Sequence, residues 1–391
     1  MKRYRWIPAI IAMVLLSACV PNITPETELT QESDTDQAVE TTIIPNMQIN
    51  DKFYRTLIPY KESASRGLVV SNIFTKYDMK EVETGLMRIS QNHFDTENYY
   101  FQEGQYLDET TLKYWLARPN QTEDKGPEYQ GLNPSSIDEE TGEDMDPTVK
   151  ATEAPVYLAH IIEQNYLTKT DDNKVKLGGV SIGLALNSIY YYQKEQYGEF
   201  FEQKIPDDKL EAEGKKIAQE VINRLRARSE LADVPIVIAL FKQAERNAII
   251  PGTYTDYNFV DKGTTALGDW EGIDERYVTF PMSSPDDIYR ELNTNFQNFK
   301  QDVDKYFSNF TSVFATGFYQ NKKIQKLDIE IPIQFYGTAE ITGFTQYLTA
   351  LLLNHLPLDL YISVSITSVN GPEVLIIKEP NDDKPFVHIY E

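Results

Sequence analysis

Residues 177–187 read Leu177-Gly178-Gly179-Val180-Ser181-Ile182-Gly183-Leu184-Ala185-Leu186-Asn187. Val180, Ile182, Leu184 and Leu186 alternate with Ser181, Gly183, Ala185 and Asn187. That is the two-residue period of a strand. The same letters satisfy G-x-S-x-G, the turn that exposes a serine nucleophile between a strand and a helix. Such an elbow needs a sharp bend at Ser181, yet the alternation runs straight through it to Leu186. The strand reading is therefore preferred.

Downstream, residues 206–228 read as a helix, with Leu210, Ile217, Val221, Ile222 and Leu225 on one side. Residues 234–241 form an unbroken apolar strand, and residues 254–260 a second one after a Pro251-Gly252 turn. Ser284-Pro285-Asp286-Asp287 opens another helix, with a cap, an early proline and acids at the positive end of the dipole. Its stripe is Ile288, Leu292, Phe296, Phe299 and Val303. The last stretch repeats the earlier order. A strand at 326–335 precedes a helix at 338–355, with Ile341, Phe344, Leu348, Leu351 and Leu352 inward. Further strands lie at 360–366, 369–377 and 386–390. Strand, helix, strand, strand, strand thus occurs near 174–262 and again near 318–391. The expected fold class is α+β, with mixed or antiparallel sheets and packed helices in two related units after an N-terminal segment.

The chain divides accordingly. Residues 1–18 are a leader and 19–50 a flexible acidic tether. An N-terminal α+β region spans 51–173 and contains a long acidic loop, 119–155. The first unit covers 174–265, a linking helix region 266–317, and the second unit 318–391. The tether carries Thr, Glu, Asp and Pro with no aromatic residue from 21 to 46, a composition with little to bury.

The leader begins with Lys2, Arg3 and Arg5 and continues as an apolar run over residues 7–16. That run is too short for a membrane helix of about 20 residues. It ends in Leu16-Ser17-Ala18-Cys19, the form of a bacterial lipobox, and Cys19 is the only cysteine of 391 residues. In a lipobox a diacylglycerol is attached to the cysteine sulfur and a peptidase cuts before it. Two acyl chains anchor stably where one does not. The expectation is an extracytoplasmic protein, lipid-anchored to the cell membrane through Cys19. With a single cysteine, no disulfide can form within the chain.

Net charge is −23, and loss of the three basic leader residues takes it to −26. Such a surface argues against nucleic acid as a partner. His93, His160, His355 and His388 show no zinc spacing, and each reads as a helix or strand surface residue. The acidic run 138–146 lacks the EF-hand spacing and reads as a solvated loop. No P-loop or dinucleotide fingerprint occurs. The expected lists of catalytic residues, metal ligands and cofactors are therefore empty. Tyr99-Tyr100-Phe101 and Tyr190-Tyr191-Tyr192 read as core packing with a partly wet rim, with a stacking platform as the alternative.

Several runs resemble the CamS family of sex-pheromone lipoproteins of Gram-positive bacteria. They are Glu83-Thr84-Gly85-Leu86-Met87-Arg88, residues 99–107, residues 177–196, residues 331–337, and Phe386-Val387-His388-Ile389-Tyr390. The resemblance implies that the leader is trimmed to a short apolar pheromone. On this chain that peptide is Ala12-Met13-Val14-Leu15-Leu16-Ser17-Ala18, and its partner is a pheromone receptor of plasmid-bearing cells. Three functions are compatible with these features. The first is a surface lipoprotein and conjugation-pheromone precursor with a non-enzymatic folded part. The second is a lipoprotein that binds a cell-envelope ligand in a groove between the two units. The third is an envelope hydrolase using Ser181.

Overall fold

The computed structural model describes residues 27–31, 40–45, 48–50, 52–63, 65–171, 174–306, 312–334 and 337–390. The leader, the lipobox Leu16-Ser17-Ala18 with Cys19, and the peptide beginning at Ala12, Met13, Val14 and Leu15 lie outside them.

The stretch read as a tether carries two strands. β1 (Thr27–Gln31) and β2 (Glu40–Ile44) pair antiparallel, and β1 also runs parallel to the start of β6 (Lys174–Leu186) through Thr30↔Lys174 and Gln31↔Val175. Thr27, Thr30, Thr41, Thr42, Ile43 and Ile44 suit an extended backbone. The segment has little to bury within itself, but β6 offers it a strand edge.

The first unit continues with β3 (Arg55–Thr56), α1 (Arg66–Asn72), α2 (Lys76–Ser90), β4 (Tyr100–Glu103), α3 (Glu109–Leu116), α4 (Pro147–Glu153), β5 (Leu158–Lys169) and β6. Next come the small hairpin β7 (Ile189–Gln193) and β8 (Phe200–Lys204), then α5 (Asp207–Arg226), β9 (Ile236–Lys242), β10 (Thr253–Val260) and β11 (Glu271–Gly272). The main path through the sheet is β11-β10-β9-β6-β5-β4-β3. β5 and β6 are antiparallel, β6 and β9 parallel across α5, and β9 and β10 antiparallel.

The second unit has β12 (Glu275–Phe280), α6 (Asp287–Tyr306), β13 (Phe314–Gln320), β14 (Lys323–Pro332), α7 (Thr338–His355), β15 (Tyr361–Ser368), β16 (Gly371–Lys378) and β17 (Phe386–Ile389). Its order is β12-β13-β14-β15-β16-β17. Here too a parallel pair, β14 and β15, is joined across a helix and flanked by antiparallel partners. The series β4-β5-β6-β9-β10-β11 and β12-β13-β14-β15-β16-β17 are the same topology. The α+β class with two related units is what the chain adopts, but both units are larger than 174–265 and 318–391. β3, β4 and β5, read as part of a separate region 51–173, share the sheet of β6, and the second sheet begins at Glu275. The stretch 266–317, read as a linking helix region, holds α6 and also the edge strand β12. Val278 and Phe280 of β12 face the second core.

The two sheets are buried differently. Around β6 and β9, Val180, Ile182, Leu184, Ile236, Ile238 and Leu240 pack in one core with α3 and α5. Ala185, Val237, Ala239 and Phe241 face a separate core with α2. Burial on both faces explains the unbroken apolar run of β9. In the second unit Ile362, Val364 and Ile366 face α6 and α7, while Tyr361, Ser363 and Ser365 between them are half-buried.

The acidic loop 119–155 is stitched down from within. Buried Asn133 donates to the carbonyls of Leu116 at 2.8 Å and Leu158 at 3.0 Å, and accepts from the Leu158 amide at 2.8 Å. Its side chain supplies the backbone partners that irregular chain lacks.

Leu352 of α7 is fully buried. Leu352→Ala should lower stability by about 2–5 kcal/mol through lost burial and the cavity left behind. Ser365→Ala on the other face should change it by less than about 0.5 kcal/mol. Urea unfolding of the two variants, compared with the parent, checks the ratio.

Candidate functional site

Ser181 lies in the middle of β6, 0% exposed, with its hydroxyl 2.6 Å from that of Ser90 on α2. The strand does not turn there, so no nucleophile elbow exists. The flanking glycines answer to packing. A Cβ at Gly179 would lie 2.3 Å from the Phe94 ring, and one at Gly183 would lie 2.5 Å from the Tyr254 hydroxyl.

The other singled-out residues scatter. His93 stacks on Phe259 at 4.4 Å, His355 Nε2 lies 2.8 Å from Asp302, and His388 sits edge-on to Tyr390 on the last strand. Asp138 accepts the amides of Glu140 and Thr141, and Asp144 bonds Lys150 and Ser136, so these acids serve their own loop. Among the described residues no group of three His, Cys, Asp or Glu is placed to hold a metal ion. Phe101 packs with Tyr54 and Tyr166, while Arg55 lies over Tyr100. On β7, Tyr190 and Tyr192 stack at 6.1 Å, and Tyr191 lies under Arg246 at 4.0 Å.

His160 departs from expectation. It is 1% exposed rather than a surface residue, and neither ring nitrogen has a hydrogen-bond partner among the described residues. It lines a cavity of about 360 Å³ in the first unit. Strands β3, β4 and β5 form one wall, α1 and α2 the opposite one, and the segment before α1 the roof. Val69, Met87, Phe101 and Ile162 supply apolar surface. This volume sits at the low end of small-ligand sites, which span about 300–1,000 Å³.

Two carboxylates organise the cavity wall. Glu163 is buried and accepts the backbone amides of Gln105 at 3.0 Å, Tyr106 at 3.1 Å and Leu107 at 2.7 Å. Burial raises its pKa, and these amides oppose that rise. A Cβ at position 104 would fall 2.5 Å from that of Glu163, which accounts for Gly104. Glu103 ties down the roof. It accepts the Tyr60 hydroxyl and the Ser63 amide (2.7 Å), and Arg66 lies 3.7 Å away. Glu83 sits at the mouth, open to solvent at its surface. The protein mass around it, and then Glu103, raise its pKa.

The two units meet in an ion-paired contact. Arg88 of α2 grips Glu275 of β12 with two bonds, 2.9 and 2.6 Å, and reaches Glu81 at 2.6 Å. Tyr277 donates to Glu81 at 2.6 Å, and Phe318 lies beneath the guanidinium. The His160 cavity lies within the first unit. A lone histidine in a strand gives no warning of it, because its walls come from segments far apart in the chain.

These features define a two-unit α+β protein with a partly polar cavity, open at its mouth, in its first unit. The chain belongs to the CamS family, matching the CamS sex pheromone cAM373 precursor description over residues 60–384. It is similar to the sex pheromone precursor of Lactobacillus salivarius subsp. salivarius UCC118, with 32% identity and a TM-score of 0.79 over 90% of this chain and 99% of that one. It is also similar to the C-terminal domain of the sex pheromone staph-cAM373 precursor of Staphylococcus aureus. There identity is 32% and the TM-score 0.68, over 82% of this chain and 98% of that one. Among curated proteins no match is found.

Arg88→Ala would strand two buried carboxylates, Glu81 and Glu275, and should cost about 3–5 kcal/mol in thermal or urea unfolding. Arg88→Lys should recover little, because a lysine cannot hold Glu275 with two bonds. A second expectation concerns pH. Burial lowers His160 to about 4, against 6.5 for the ordinary side chain. Between those values the unfolded chain binds the extra proton. Stability from this group is complete above pH 6.5 and is lost as pH falls toward 4, by about 3 kcal/mol. Urea midpoints across this window should fall more steeply for the parent than for His160→Gln.

Proposed function

We propose that the protein is a lipid-anchored precursor on the outer face of the cell membrane, with a leader that is released as a conjugation pheromone and a folded part that is not an enzyme. The observation that carries this is Leu16-Ser17-Ala18-Cys19 at the end of a basic-then-apolar leader, in a chain of the pheromone-precursor family. A cut before Cys19 does two things at once. It frees the cysteine amine for the mature lipoprotein and creates the carboxyl end of Ala12-Met13-Val14-Leu15-Leu16-Ser17-Ala18. Charged residues stop at Arg5, so trimming anywhere after Trp6 leaves an apolar product. Among the described residues no helix is long and apolar enough to cross a membrane.

A non-enzymatic folded part is supported by Ser181, whose hydroxyl is buried against Ser90 and out of reach of any substrate. A second reading, a folded part that binds a cell-envelope ligand, is favoured by the His160 cavity.

Cys19→Ala should abolish metabolic labelling by a fatty acid and leave the chain uncleaved in the membrane or shed to the medium. Intact labelling and normal retention would overturn the anchor. Synthetic AMVLLSA, or culture supernatant, should raise conjugation by plasmid-bearing cells. No rise with either, while an active pheromone works in the same assay, would remove the signalling output.

A further inference from the structure

The cavity lining is unbalanced in charge. Arg66 is its one basic side chain among the described residues, against Glu83, Glu103 and Glu163. Arg66 is itself shared between Glu62 at 3.2 Å and Glu103 at 3.7 Å. Glu163 is answered by backbone amides, and Glu103 by the roof. Glu83, at the mouth, has no hydrogen bond or ion pair to its carboxylate among the described residues and feels Arg66 only at longer range. A cation fits there, and an anion is repelled.

The interior adds a second demand. Val69, Met87, Phe101 and Ile162 favour an apolar body. His160, neutral by burial, offers one donor and one acceptor nitrogen, and both lack partners among the described residues. A buried polar group left unpaired is costly, about 1–3 kcal/mol. A peptide group, with its own C=O and N–H, matches that pair in a way that a simple amine does not.

We propose that this cavity binds the free amino-terminal end of an apolar peptide, its ammonium at Glu83 beside Glu103, its first side chain against Val69, Met87 and Ile162, and its first peptide group at His160. The volume admits the first one or two residues and leaves the rest of the peptide outside. The peptide can be the chain's own released fragment or another apolar peptide of the envelope; both present the same chemistry.

The test is calorimetric titration of the full chain carrying Cys19→Ser, which removes the lipid. The ligands are AMVLLSA, its N-acetylated form, and a scrambled peptide of the same composition. Acetylation should weaken binding by about tenfold or more, since it removes a charge-assisted contact. Glu83→Gln, at the solvent-facing mouth, should weaken the free-amine peptide similarly and leave the acetylated one unchanged. Thr84→Lys, which places a competing ammonium at the mouth, should do the same. Preference for AMVLLSA over the scramble identifies the chain's own fragment as occupant, and equal binding identifies apolar peptides generally. Absence of heat with every free-amine peptide, or equal affinity of the acetylated and free forms, overturns the proposal. So does indifference to both Glu83→Gln and Thr84→Lys. The readout is binding by the folded chain, so it stands apart from lipid labelling and conjugation.

Discussion

The close seating of α2 on β6 is the constraint on which the rest of the first unit depends. Helix and sheet approach so tightly that Gly179 and Gly183 on the strand, and Gly85 on the helix, have no room for a side chain. The Phe94 ring, the Tyr254 ring and the Ser90–Ser181 hydroxyl pair fill the space instead. Tyr254 reaches from β10 across the sheet face and donates to the Val82 carbonyl at 2.7 Å, which fixes the helix along its axis. With α2 so placed, Glu83, Thr84 and Met87 meet the cavity, and Arg88 meets the second unit. A motif that resembles a hydrolase signature is thus a packing device, and its serine is part of the fit.

The two units share one topology and solve different burial problems. In the first, helices cover both faces of the sheet, so central strands read as continuous apolar runs. In the second, helices cover one face, and the strands alternate. The cavity lies on one of these faces, at the end of the sheet where α1 and α2 lie over short strands. The second unit is a single-sided layer, and its core is filled by Phe296, Phe299 and Phe344.

Much of this was legible in the sequence, for identifiable reasons. The stripes of α5, α6 and α7 recur at spacings of three and four because each helix buries a single face, except that Ile288, expected at the head of the α6 stripe, is exposed and Tyr289 is buried in its place. The repeated order of elements was legible because both copies keep the parallel pair bridged by a helix. Other features were not. β12 is six residues long and close to a strongly patterned helix. β1 and β2 depend on an open edge contributed by β6, more than a hundred residues away. His160 is one histidine in a strand, and only the burial of its surroundings, set by α1 and α2, gives it meaning. Arg88 and Glu275 carry no mutual signal in the chain, being brought together by the packing of two separate sheets.

Arg88 and Glu83 stand little more than one turn apart on α2, one gripping the second unit and the other at the cavity mouth. The helix is therefore a shared lever. An occupant that displaced α2 would strain the guanidinium contacts with Glu275, and a load on the second unit would be felt at the mouth. Coupling of this sort is reciprocal by thermodynamic necessity. Contact made by the outer surface of one unit and occupancy inside the other would then report on each other through a short stretch of helix.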